Sequence, residues 1–274
     1  MKTMLHHFED GCRVIQADAT KLPLADHSVD LTIGSPPYPE KGERYGDGSK
    51  RWPSRAWVPW MVAVTREALR VSRGPVCWIV NGAVRHSRYL PAVERLITAL
   101  DDAGIHLERP LICHKNAPPN RRDWFGNDWE YVVVAKHPGP VPHFDWHSIG
   151  TPPRYTSGGK FRQRSSNGER RMGGDYPENA VTRPRDVLRA TVGGGHLGSR
   201  LAHENEAPFP ERLVEPLILA LCPPDGTVLD PFCGSGTTLA VALRHGRHAI
   251  GVDVRSSQVE LTKKRLRVVS RSTS

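Results

Sequence analysis

The sequence predicts an α/β fold built on a largely parallel sheet. Short apolar runs alternate with stretches of helical period along most of the chain. Several of those runs end on an acidic residue or on a glycine- or proline-rich turn, as strands do where a parallel sheet opens to a ligand.

Taken in order, residues 12–17 (CRVIQA) form a buried strand ending at Asp18, and residues 29–33 (VDLTI) a second. Ser35-Pro36-Pro37-Tyr38 closes the second strand, because paired prolines cannot continue a central one. Residues 39–59 are polar, punctuated by Gly and Pro, and read as a loop. Residues 60–71 have helical period and stop before Gly74-Pro75. A strand at 76–80 and a helix at 91–103, closed by Gly104, follow. Residues 109–114 and 131–135 read as antiparallel neighbours at a sheet edge. After Pro208 come a helix at 211–221, a strand ending at Asp230, a glycine turn leading a helix to 243, a strand ending at Asp253 and a basic helix at 256–268.

Between His137 and about Arg200 the chain turns Gly/Pro-rich, basic and poor in apolar residues. Lys160, Arg162, Arg164, Arg170 and Arg171 crowd its centre. Such a composition suits a disordered linker, but a long insert in a compact enzyme is usually functional, so it is read as a DNA-contacting segment without regular structure.

The length, 274 residues, allows one large domain with an insert. A formal charge of +9 points to a polyanionic partner. Mean hydropathy is −0.47 and no run approaches the roughly 18 apolar residues of a membrane span, so a cytoplasmic protein is expected. Five cysteines without CxxC spacing argue against a disulfide framework or a zinc site, and no metal is expected. Trp124, Trp129 and Trp146 could stack on bases, with packing in the core or at an edge the default expectation.

The chemistry concentrates in two places. Asp230-Pro231-Phe232-Cys233-Gly234-Ser235-Gly236-Thr237-Thr238 carries a strand through a glycine turn onto a helix N-terminus, where free N–H groups face a ligand. Asp253, nineteen positions after Gly234, can accept hydrogen bonds from both ribose hydroxyls of a nucleoside. These features admit NAD, ATP or S-adenosylmethionine. Ser35-Pro36-Pro37-Tyr38 narrows the choice. A nucleobase amino group is a poor nucleophile, and acceptors aimed at its hydrogens favour the pyramidal nitrogen that attacks a sulfonium methyl. The Ser35 hydroxyl and Pro36 carbonyl can serve, held rigid by Pro36 and Pro37, with Tyr38 as a stacking face.

SPPY followed by DPFCGSGTT resembles the amino-group DNA methyltransferases of the β arrangement, in which the catalytic motif precedes the cofactor motif. The resemblance spans nearly the whole chain except the basic segment. It implies a Rossmann-like, circularly permuted fold, S-adenosylmethionine as cofactor and DNA as partner. It places Asp18 and Ala19 beside the cofactor adenine and Pro208, Phe209 and Pro210 over its methionine part. Residues 1–137 would be the catalytic half, 138–200 an inserted target-recognition segment and 201–274 the cofactor half. His203-Glu204-Asn205-Glu206-Ala207 departs from the shorter His-Pro-Ala usual in the family. A serine-led motif implies cytosine N4; adenine N6 is the alternative, since both amino groups need the same acceptors. Lys41, Arg44, Lys50, Arg51 and Arg55 join the basic segment as candidate DNA contacts. Three rivals stand beside this reading: an RNA or a small-molecule methyltransferase and a non-catalytic DNA-binding module. Methylation at cytosine carbon 5 needs a cysteine nucleophile, whereas Cys222 and Cys233 read as small buried side chains. A cognate restriction endonuclease is a candidate partner, and a monomer or a homodimer the expected state.

Overall fold

The computed structural model describes residues 4–7, 11–39, 52–115, 124–152, 160–164, 167–175, 181–190 and 210–272. Strands β1 (Met4–His7), β2 (Cys12–Gln16) and β3 (Leu31–Gly34) lead to helix α1 (Ser54–Val71). Then follow β4 (Val76–Val80), a hairpin of β5 (Ala83–Arg85) and β6 (Arg88–Leu90), helix α2 (Ala92–Asp102), and strands β7 (His106–Leu107), β8 (Leu111–His114) and β9 (Trp129–Lys136). The basic segment contributes β10 (Lys160–Arg164), β11 (Arg170–Asp175) and β12 (Val187–Arg189). The chain closes with α3 (Glu211–Leu221), β13 (Thr227–Asp230), α4 (Thr237–Arg244), β14 (His248–Asp253) and α5 (Ser256–Ser272).

Among the described residues these strands make a ten-stranded sheet in the order β1-β2-β14-β13-β3-β4-β9-β8-β12, with β7 also paired to β9. The five strands from β2 to β4 are mutually parallel. The last two strands of the chain, β13 and β14, lie between the early strands β2 and β3. That interleaving is the permuted order expected from the motifs. The two ends of the chain meet toward one edge of the sheet, with Ala249 opposite Cys12 and Asp253 opposite Gln16.

Side chains alternate between the two faces with the period of a strand. Val76, Trp78 and Val80 of β4 pack under α1 and α2, whereas Cys77 and Ile79 face the core shared with α3 and α4. Helices therefore cover both faces, as a parallel sheet requires.

Four sequence readings need correction. Helix α1 starts at Ser54, inside the stretch 39–59 expected to be a loop, of which residues 40–51 lie outside the described residues. Buried Ser54, Trp57, Val58, Met61, Val64 and Thr65 keep the helical period straight through Pro59, and their packing outweighs the proline. Strand β8 pairs antiparallel with β9 as expected, but β12 runs parallel along its other side and takes the edge. The basic segment is not structureless: β10 and β11 form an antiparallel hairpin with Arg164 opposite Arg170, and β12 joins the main sheet. Finally, Trp124 is 68% exposed, so it is no packing residue.

Candidate active site at the carboxyl edge of the sheet

The five parallel strands end along one edge, and each delivers a marked residue there. In sheet order these are Asp18 just past β2, Asp253 at the end of β14, Asp230 at the end of β13, Ser35 just past β3 and Asn81 just past β4. The two predicted motifs are brought together by a backbone contact. At Gly34 a β-carbon would come within 2.9 Å of the Asp230 carboxylate and 3.4 Å of the Pro231 ring. Only glycine lets the strand before Ser35 pass so close to the turn after Asp230.

That turn is held from several sides. The Phe232 N–H donates to Asp230 Oδ1 (2.9 Å) and the Gly236 N–H to the Cys233 carbonyl (2.6 Å). Gly236 has a φ of +76°, and a side chain there would also strike Thr262. Thr262, from α5, donates its hydroxyl to the Gly234 carbonyl at 2.6 Å. Asp253, 6% exposed, accepts the Gly234 N–H at 3.3 Å and the Arg255 N–H at 2.9 Å. Asp253 Oδ1 also accepts from Arg255 Nε at 3.3 Å, so the lone pair left for a ribose hydroxyl is on Oδ2. Asp18 lies next along the edge, where the Ala17 N–H donates to the Asp253 carbonyl. One Asp18 oxygen accepts both the Thr20 N–H and the Thr20 hydroxyl at 2.8 Å, and Ala19 is buried behind it. This donor and acceptor set, with a glycine turn at the start of α4, suits an adenosine-containing cofactor. Pro210 is buried at the start of α3; Pro208 and Phe209 lie outside the described residues.

On the catalytic side, the Ser35 hydroxyl lies 3.5 Å from the Tyr38 phenol oxygen, so both point to one spot. The Pro37 carbonyl accepts from Trp57 Nε1 at 2.7 Å, which pins the turn to the first turn of α1. Sequence reasoning missed Trp57 because it lay in the supposed loop. Phe232, grouped with the cofactor residues from sequence, sends its ring toward α1 and β4, with centroids 5.7 Å from Trp60 and 5.8 Å from Trp78. It therefore ties the glycine turn to α1 and β4.

Also missed is a buried ion pair beneath the glycine turn. Arg265 of α5, 1% exposed, donates to Glu211 Oε1 (2.7 Å), to the Thr237 hydroxyl (2.9 Å) and to the Ser235 carbonyl (3.5 Å). Arg244 holds the other Glu211 oxygen at 2.7 Å. The pair links α5, the start of α4 and the start of α3, just after the expected methionine-covering segment. Burial holds the Arg265 guanidinium below its usual range, against the pull of Glu211.

Asp230 is 1% exposed, and burial pushes its carboxyl up to about 7, against the hydrogen bonds it accepts. An unfolded carboxylate titrates near pH 4. Between those values the folded protein holds a proton that the unfolded chain has lost, so stability from this group falls as pH rises to about 7 and then levels off. Asp230→Asn, a neutral isostere, should therefore gain on the parent between pH 5 and pH 8, by about 3 kcal/mol. Urea unfolding of the cofactor-free proteins at both pH values checks this; a gap that narrows toward pH 8 contradicts it.

None of the five cysteines is in a disulfide, and all are buried. Burial pushes the Cys222 thiol up to about 12 and Cys233 well above its usual range. Neither is a ready nucleophile. Of the basic candidates, Arg55 is exposed on the first turn of α1, while Lys160, Arg162, Arg164, Arg170 and Arg171 lie along the β10–β11 hairpin. Lys41, Arg44, Lys50 and Arg51 lie outside the described residues.

Comparison with known proteins decides the family. The model of a family described as DNA methylase, N6_N4_Mtase, matches residues 29–264. The chain belongs to this family. It is an S-adenosylmethionine-dependent DNA methyltransferase of the N4-cytosine or N6-adenine type. Over 250 residues the methyltransferase is 26% identical to the type II methyltransferase M.ScaI of Streptomyces caespitosus, covering 89% of this chain and 76% of that one. It is 26% identical to the DNA adenine methyltransferase YhdJ of Escherichia coli K12 over 93% of this chain and 81% of that one. Its fold matches the cytosine-N4-specific PvuII DNA methyltransferase with a TM-score of 0.68 at 17% identity, covering 93% and 86% of the two chains. It also matches a DNA modification methylase of Thermus thermophilus, TTHA0409, in complex with S-adenosyl-L-methionine, with a TM-score of 0.59, 22% identity and coverage of 92% and 91%. Among the described residues no helix is long and apolar enough to cross a membrane.

Proposed function

We propose that this methyltransferase modifies the N4 amino group of cytosine in duplex DNA, by direct transfer to a base turned out of the helix. The observation that carries the reading is the contact of Gly34 with Asp230 and Pro231, which sets Ser35–Tyr38 beside the glycine turn. Bound S-adenosylmethionine supplies an electrophilic methyl group on a sulfonium centre. The Ser35 hydroxyl and Pro36 carbonyl accept the two amino hydrogens and so concentrate the nitrogen lone pair on the attacking side. Tyr38 stacks on the extruded base. As the carbon–nitrogen bond forms, the methyl's bond to sulfur breaks with its electron pair left on sulfur, and one amino proton leaves to solvent. Asp18, Ala19, Asp253 and the turn from Asp230 to Thr238 hold the nucleoside part of the cofactor, and Pro208, Phe209 and Pro210 cover its methionine part.

In this scheme residues 1–137 form the base pocket, 201–274 the cofactor pocket and 138–200 the target-recognition segment. The basic side chains from Lys41 to Arg55 and along β10–β11 hold phosphates, so affinity for DNA falls steeply with salt. Cytosine is favoured by the serine that leads the motif. Adenine N6 is the second reading, favoured by the similarity to YhdJ. A restriction endonuclease that cuts the same site would be the natural partner of such an enzyme.

Tyr38 tests the base-handling part. Stacking of a base on an aromatic ring contributes about 1–3 kcal/mol. Tyr38→Ala should lower kcat/KM on mixed-sequence duplex DNA by about 10-fold or more, and Tyr38→Phe should keep most of it. Equal rates in the parent and the alanine variant would remove the stacking role.

A further inference from the structure

Next to the proposed pocket, the same sheet edge carries exposed aromatic and basic side chains to which nothing above assigns a role. Strand β4 ends at Val80, and the chain passes through Asn81 and Gly82 into the β5–β6 hairpin. Its tip, His86 and Ser87, takes positive φ values of 46° and 57°. Arg85, His86 and Arg88 are exposed, and residues 83–90 contain no acid. Strand β9 runs antiparallel to β4 with Tyr131 opposite Val80, so the residues before β9 emerge at the same edge. There Trp124 is 68% exposed and Phe125 83%, with their rings edge to face at 5.6 Å.

The hairpin and the aromatic segment are braced against one another. Asn81 Nδ2 donates to the Trp129 carbonyl at 3.1 Å and to Asn127 Oδ1 at 3.3 Å. The Tyr89 and Tyr131 hydroxyls donate to one Glu94 oxygen, at 2.7 and 3.3 Å. At Gly82 a β-carbon would lie 2.6 Å from Tyr89, so the hairpin seats on a glycine. Strand β4 is also the neighbour of β3, with Gly34 opposite Trp78, which puts this edge one strand from Ser35.

Two large rings held in solvent at the sheet edge where the arginine-bearing hairpin emerges suit a strand of nucleic acid. Drawing one base out of a duplex leaves its neighbour or its former partner with an open face. We propose that Trp124 and Phe125 stack on a base left unstacked beside the target, while Arg85 and Arg88 hold the flanking phosphates. This rests on the base-extrusion reading above.

The test uses the full chain with S-adenosylhomocysteine and two fluorescent duplexes, one fully paired and one with a single-nucleotide bulge. Binding is followed by anisotropy across a salt series. The parent should prefer the bulged duplex. Trp124→Ala/Phe125→Ala should lose that preference and bind it about 10-fold more weakly, with an unchanged salt slope. Arg85→Gln/Arg88→Gln should lower the slope of log K against log salt by about two. Cofactor affinity equal to the parent's shows that each variant is folded. Unchanged DNA binding by both variants overturns the proposal, and so does a change confined to self-association, which would make the edge a protein-docking face. If the parent methylates DNA while the aromatic variant matches it in binding and rate, only this inference fails. If the parent methylates no DNA, the function proposed above fails with it.

Discussion

Ser35→Ala should reduce the rate of methyl transfer about 100-fold while leaving cofactor affinity unchanged, the loss seen when one preorganised polar partner of a transition state is deleted. The proposed role asks nothing of the serine but its hydroxyl. It is the first residue past β3 and partly exposed, and its hydroxyl shares a direction with Tyr38 at 3.5 Å. Its removal leaves no cavity in the core. The turn that carries it is held by the Pro37 carbonyl on Trp57 and by the close pass of Gly34, and neither needs the serine side chain. A fall in the single-turnover rate at saturating DNA, without a change in S-adenosylmethionine binding by calorimetry, is the expected pattern. Full single-turnover activity would strip Ser35 of its role, and lost cofactor binding would move that role to the other pocket.

Arg265→Met should cost about 3–5 kcal/mol of stability, because it strands the Glu211 carboxylate beneath the glycine turn. Arg244 stays on the second oxygen and offsets part of the loss. The Thr237 hydroxyl and Ser235 carbonyl lose a donor at the same time, so the start of α4 loosens where the cofactor is expected. Glu211→Leu should be similarly harmful, since it leaves a buried guanidinium without its counter-charge. The double variant Arg265→Met/Glu211→Leu should recover much of the stability, because replacing both members of a buried pair removes the desolvation cost along with the attraction. Denaturant unfolding of the three variants gives the cycle; strictly additive losses would show that the pair does not act as a unit.

Arg265 also shows where sequence reading stops. In the basic helix at 256–268 Arg265, one of four basic residues between 263 and 267, looks like a solvated charge, and only the fold reveals that Glu211, fifty-four residues earlier, lies against it. Strands β2, β3, β4, β13 and β14 were legible, because each is a compact apolar run ended by a turn residue. So were Ser35, Asp230 and Asp253, since each follows directly from where such a run stops. Short elements that depend on partners elsewhere were hidden. Strand β12 has three residues and exists through its pairing with β8. The β5–β6 hairpin turns on His86 and Ser87 rather than on the glycine or asparagine that marks such turns. In α1, Pro59 concealed a period that Trp57 and Met61 had already set, and with it the tryptophan that steadies the catalytic turn.

The account stands or falls on which atom receives the methyl group. The most direct measurement is to incubate the purified protein with isotopically labelled S-adenosylmethionine and mixed-sequence duplex DNA, digest the DNA to nucleosides and identify the labelled product by mass spectrometry. Label in N4-methylcytosine is the predicted result. Label in N6-methyladenine would keep the chemistry of Ser35 and Pro36 and overturn the choice of base. Label at carbon 5 of cytosine, or in no nucleoside of DNA while cofactor binding is intact, would contradict direct transfer to a DNA amino group.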